Sequence, residues 1–149
     1  MLDSKALQDL ENIFDKEIVL ANKMGLKIES FRDNTLSLQA PLELNINDKK
    51  TAFGGSIYSI AVLSGWGLIY LKLKELGIKA EIVIYKSEIK YKKAIKSNLE
   101  AKCSVENVKF EDFIQTFKSK SKSKIQLTSK LYSDNEEAVI FEGIYAIYQ

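Results

Sequence analysis

Residues 52–71 read Ala52-Phe-Gly-Gly-Ser-Ile-Tyr-Ser-Ile-Ala-Val-Leu-Ser-Gly-Trp-Gly-Leu-Ile-Tyr-Leu71, a run of 20 residues without a charge. That length suffices to cross a bilayer. The run is nevertheless diluted by Gly54, Gly55, Gly65, Gly67, Ser56, Ser59 and Ser64, and the segments around it alternate like strands of a water-exposed sheet. It is therefore read as a helix apolar on all sides and enclosed by protein. Lys72, Lys74 and Glu75 make its last turn polar, and Gly77 is placed to stop it.

Upstream, Leu2, Ala6, Leu7, Leu10, Ile13 and Phe14 recur at helical spacing behind a cap at Asp3 or Ser4, which predicts a short amphipathic helix. Gly25 to Phe31 alternates Leu26 and Ile28 with Lys27 and Glu29; Asp33-Asn34 turns the chain, and Leu36, Leu38 and Ala40 alternate in turn. This is a β-hairpin ending near Pro41. Downstream, Glu81–Tyr91 opens with Ile82-Val-Ile-Tyr85 and then alternates Ser87, Ile89 and Tyr91 with Lys86, Glu88 and Lys90. Three further strands follow, around Leu99–Val105, Ile125–Leu131 and Val139–Ile147. Between the first two of these, Phe110 to Phe117 is read as an apolar turn, with the Lys118–Lys124 run as a basic lead-in to the next strand. The order is helix, two strands, long helix, four strands: an α+β fold in which one curled antiparallel sheet, 1–149 forming a single domain, wraps a central helix. Such a sheet leaves an edge exposed, and a homodimer joining two sheets is the expected remedy.

Composition narrows the chemistry. Twenty-two basic residues against 20 acids give a net charge of +2, no general reason to expect nucleic acid or an anionic membrane as partner. The charge is unevenly spread: residues 85–124 hold 11 lysines and 5 acids, residues 125–149 one lysine and 4 acids. The single Cys103 fits a reducing compartment and excludes a cysteine metal cluster. Having no histidine, the chain has no Ser-His-Asp or Cys-His pair and no histidine-ligated zinc. No metal or cofactor is expected. The acidic, amphipathic N-terminus lacks the pattern of a secretory signal, so a cytoplasmic location is the expectation.

The polar stretch Asn45-Ile-Asn47-Asp48-Lys-Lys-Thr51-Ala-Phe53-Gly54-Gly55-Ser56 stands just before the apolar helix. Glycines at a helix start admit a ligand close to free backbone N–H groups, where the helix dipole favours developing negative charge. A thioester carbonyl suits such a place. The same glycines also serve close packing of helix on sheet, and Asn47, Asp48 and Thr51 also suit an ordinary capping loop.

Thr51-Ala-Phe-Gly-Gly-Ser-Ile-Tyr-Ser-Ile-Ala-Val-Leu-Ser-Gly-Trp-Gly67 resembles the start of the central helix in the thioesterase family of the YiiD C-terminal domain, within the hotdog-fold superfamily. Ile82-Val-Ile-Tyr-Lys-Ser87-Glu-Ile-Lys-Tyr91 extends the similarity, which covers nearly the whole chain in element order. The resemblance implies a hotdog fold, homodimers or dimers of dimers with ligand tunnels between subunits, and acyl-CoA or acyl-carrier-protein thioesters as substrates. Related hotdog thioesterases often carry His-Gly-Gly at this helix start, and Phe53 occupies the histidine position. They often place an acid seven residues past the second glycine, where this chain has Val62, and a Tyr-x-x-Pro after the third strand, where it has Ala94.

For hydrolysis, the amides of Gly54, Gly55 or Ser56 would polarise the thioester carbonyl while a water attacks. Asp48 is the leading candidate to hold or deprotonate that water and Asn47 to orient it; Ser64 or Ser87 can bond water or the acyl carbonyl. The acyl chain would follow Ile57, Tyr58, Ile60, Ala61 and Trp66, with Phe53 beside it. Lys92 and Lys93, with Lys90, Lys96 or the Lys118–Lys124 run, are candidates for the phosphates of coenzyme A. Cys103, facing inward with Leu99 and Ala101, reads as packing. The competing function is a protein that binds acyl-CoA without hydrolysing it. A hotdog hydratase, which relies on histidine, ranks last.

Overall fold

The computed structural model describes residues 4–149. Helix α1 (Ser4–Asn12) runs through a π-helical turn (Ile13–Glu17) into α2 (Val19–Met24), which Gly25 ends at φ 71°. The predicted helix is thus the first half of a longer bent segment whose second half the sequence reading did not separate. Leu2 and Asp3, one of the two predicted caps, lie outside the described residues. Strands β1 (Lys27–Arg32) and β2 (Thr35–Ala40) form the hairpin, with Asp33 at φ 50° and Asn34 at φ 57°, the conformation that such two-residue turns demand. Helix α3 (Gly54–Leu76) is followed by β3 (Glu81–Tyr91) and β4 (Leu99–Ser104), then α4 (Asn107–Lys120), β5 (Lys122–Ser133) and β6 (Glu136–Tyr148).

The six strands form one antiparallel sheet in the order β1-β2-β4-β5-β6-β3, and α3 packs against five of them, the hotdog arrangement. By length and composition α3 resembles a membrane span, but 61% of its most apolar window is buried within the protein. Leu68, Ile69 and Leu71 from α3, Leu36 and Leu38 from β2, and Phe141 and Tyr145 from β6 make the centre of the core. Each such side chain contributes about 1.5–3 kcal/mol by leaving water. The glycine at 65 has a packing reason: the Tyr145 hydroxyl lies where a Cβ would stand and donates to the Val62 carbonyl at 2.7 Å. Gly77, at φ 66°, caps the helix as predicted.

The segment read as an apolar turn and basic lead-in is instead α4. Phe110, Phe113, Ile114 and Phe117 bury one helical face against β5, so their spacing was a helix period. Lys118 and Lys120 sit in its last turn, where the helix dipole favours cations, and Ser121 at φ 60° breaks the run before Lys122 opens β5.

Candidate functional site

Helix α3 begins without a side-chain cap. Phe53, in extended conformation, donates its N–H to the Asn45 carbonyl at 2.8 Å, and the first helical bond runs from Ile57 N–H to the Phe53 carbonyl at 3.0 Å. The N–H groups of Gly54, Gly55 and Ser56 precede that bond and have no acceptor among the described residues. They point out of the helix end with the positive end of its dipole. The Phe53 ring, 55% exposed, folds back over Gly55, so that a Cβ there would strike it. Gly54 has more room, a Cβ meeting the Tyr91 ring at an ordinary 3.6 Å.

The preceding loop is closed by a bridge between Ile46 and Ala52. Asn47 holds it together: its Oδ1 accepts the N–H groups of Lys49 and Thr51 at 2.9 and 3.0 Å, and its Nδ2 donates to Thr51 Oγ1 at 2.9 Å. With its polar atoms so engaged, Asn47 shapes the loop. Asp48 stands at the loop's tip, its side chain 81% exposed and paired with Lys49 at 3.3 Å. Ala52 N–H donates to the Ile95 carbonyl at 2.8 Å, tying the helix start to the segment after β3.

Tyr58, Val62, Trp66 and Tyr70 follow Gly54 at four-residue intervals and form one ridge of α3. Edge strand β3 runs beside this ridge. Tyr91 donates to the Gly54 carbonyl at 2.9 Å, the hydroxyls of Tyr58 and Ser87 meet at 2.6 Å, and Trp66 Nε1 donates to the Ile82 carbonyl at 3.0 Å. Tyr58 also sets its ring edge-on to Phe141, centroids 5.4 Å apart, and Trp66 stacks on Tyr70 at 5.7 Å. Partial burial, helped by the neighbouring Tyr58, raises the Tyr91 phenol above its ordinary range. The structure thus brings Tyr58 and Ser87 together and adds Tyr91, which the sequence reading gave no site role. Its signal was there: Ser87, Ile89 and Tyr91 share one strand face.

Ser64 lies away from this seam. It is fully buried, donates to the Ala61 carbonyl at 2.7 Å, and contacts Ser129 at 2.8 Å, which reaches the same carbonyl at 3.3 Å. Lys92 pairs with Glu137 and Lys93 with Glu136, while Lys130 shares Glu137 at 3.0 Å. Lys92 and Lys93 hold both carboxyls below the usual carboxylate range, chiefly through hydrogen bonds. The basic and acidic stretches of the sequence therefore meet each other across β3 and β6. Cys103 is fully buried on the sheet's inner face, and burial pushes its thiol up to about 11.

A family model described as "Putative thioesterase (yiiD_Cterm)" matches residues 7–149. A protein of unknown function from Chlorobaculum tepidum TLS superposes with a TM-score of 0.95 at 35% identity, over 99% of this chain and 97% of that one. A "putative thioesterase" from Shewanella oneidensis gives a TM-score of 0.90 at 29% identity, over 99% and 100%. At 13% identity, a Pseudomonas aeruginosa protein described as "probable thioesterase" shares the fold, with a TM-score of 0.83 over 95% and 94%.

Proposed function

Because the chain belongs to the thioesterase family of the YiiD C-terminal domain, we propose that it hydrolyses an acyl thioester carried by coenzyme A or an acyl carrier protein. The observation that carries this reading is the uncapped start of α3, where the N–H groups of Gly54, Gly55 and Ser56 have no acceptor among the described residues. A thioester carbonyl resting there gains donors that strengthen as its oxygen becomes an oxyanion. Water forms the new C–O bond, the C–S bond breaks, and the proton that water loses ends on the departing thiol. Phe53 covers the helix start beside the acyl group, and Lys96, with no partner among the described residues, is free for a phosphate.

A homodimer fits this reading. The exposed edge of β3 carries Val83, Ile84 and Tyr85, and two such strands pairing antiparallel would set the Glu81 end of one against the Tyr91 end of the other. That brings the cavity of about 660 Å³ at the C-terminal end of one α3, lined by Tyr70, Ile78, Ala80 and Ile82, toward the start of the other as room for an acyl chain.

Thiol release from short, medium and long acyl-CoA tests the proposal: turnover of at least one class supports it. The second reading, a binder without turnover, is favoured by one observation, that among the described residues no acidic side chain is bonded to the ridge of α3. Tight binding without thiol release from any acyl-CoA or acyl-carrier-protein substrate would establish that reading instead.

A further inference from the structure

Hydroxyl pairs in this protein differ in one respect. When two hydroxyls bond to each other, one donates, and the other keeps an O–H that needs an acceptor elsewhere. In the Ser64–Ser129 pair the Ala61 carbonyl takes that proton, lying 2.7 and 3.3 Å from the two oxygens. In the Thr35–Ser104 pair the Asp33 carbonyl lies 3.4 Å from the Thr35 hydroxyl. The Tyr58–Ser87 pair, at 2.6 Å, has no third partner among the described residues, so one donor is left over whichever oxygen donates. The pair is half-buried between α3 and edge strand β3, one turn into the helix from the free N–H groups and one turn before Val62 on the same ridge.

We propose that this spare hydroxyl proton is the side-chain donor of the oxyanion site, binding the thioester oxygen together with the backbone N–H groups at the start of α3. This rests on the thioesterase reading and gives that reading its side-chain chemistry. A donor of this kind acts on the negative charge that grows on the oxygen, so it lowers the barrier without needing to ionise. It suits a ridge whose next position is apolar Val62. Tyr91 supports the arrangement from the other side: its donation to Gly54, at 2.9 Å, fixes the helix start against the strand that carries Ser87.

The test uses Tyr58→Phe, Ser87→Ala, the double variant, and Ser87→Thr, with folding checked by thermal melts. The double variant is expected to lose about 10² in kcat with KM nearly unchanged, as for loss of one oxyanion donor. Each single variant loses less, because the remaining hydroxyl still carries a proton, and Ser87→Thr retains most of the rate. Ser87→Ala, which removes no ionising group, leaves the shape of the pH–rate profile as in the wild type. A folded double variant with wild-type kcat overturns the proposal and leaves the thioesterase reading standing. Affinity for a trifluoromethyl ketone analogue of acyl-CoA, whose hydrate mimics the tetrahedral intermediate, separates the two claims. If the wild type turns nothing over, the thioesterase reading fails. Weaker ketone binding by the double variant then still supports the donor, and equal or absent binding overturns it.

Discussion

Gly54 and Gly65 belong to the same helix and answer differently to a methyl group. At Gly65 a Cβ would collide with the buried Tyr145 hydroxyl, so Gly65→Ala is expected to lower stability by about 2–3 kcal/mol, read in urea melts. At Gly54 the nearest atoms are 3.6 Å away, and Gly54→Ala is expected to melt within about 0.5 kcal/mol of the wild type. A tenfold or larger loss of thiol release in that stable variant would report crowding of a ligand at the helix start. Cys103 supplies a pH test. Burial raises its thiol from the ordinary 9.0 to about 11, so between these values the unfolded chain gives up a proton that the folded one keeps, and stability falls as pH rises. Wild type should therefore lose about 2 kcal/mol more than Cys103→Ala between pH 9 and 11 in urea titrations. The sequence alone indicated the glycines, the inward Cys103 and a capping-loop alternative for Asn47, but not the particular partners of Asn47 and Ser64. Asn47 spends its amide on its own loop and Ser64 bonds a carbonyl one turn back and a serine on β5, partnerships that spacing does not encode.

At the scale of elements, α3 and the hairpin were legible because each obeys one strong rule: an uncharged run closed by Gly77, and an Asp-Asn turn between alternating strands. Helix α4 was not, because Lys118 to Lys124 alternates with serine as a strand would, and that pattern straddles the end of a helix and the start of β5. The phenylalanines settle it. Phe113, 3% exposed and 5.5 Å from the Phe110 ring, anchors α4 on the sheet, and Phe113→Ala is expected to cost about 3–5 kcal/mol in denaturant melts. A value below about 1 kcal/mol would mean that α4 contributes little to the core. Strand β3 shows the reverse case. Its apolar Ile82-Val-Ile-Tyr85 run reads like an interior strand, yet the strand is a sheet edge, with a register shift between Ile84 and Lys86 where the alternation begins.

Over the whole molecule, the two sheet edges are unequal. Strand β1 presents Lys27, Glu29 and Arg32, charges of the kind that discourage edge pairing, whereas β3 exposes Val83, Ile84 and Tyr85 at 40%, 37% and 61%. The same strand carries Ser87 and Tyr91, both bonded to α3 residues, so an assembly through β3 would form directly beside the proposed site. A twofold pairing is self-complementary and closes after two copies. Sedimentation should then give twice 16.9 kDa for the wild type and 16.9 kDa for Val83→Asp combined with Tyr85→Asp. If the acyl chain occupies the space between subunits, that monomeric variant should keep its fold by circular dichroism and lose thiol release. A monomeric wild type would remove the dimer. A monomeric variant with full activity would place the acyl chain within a single protomer, leaving the start of α3 and its hydroxyl pair as the whole of the site.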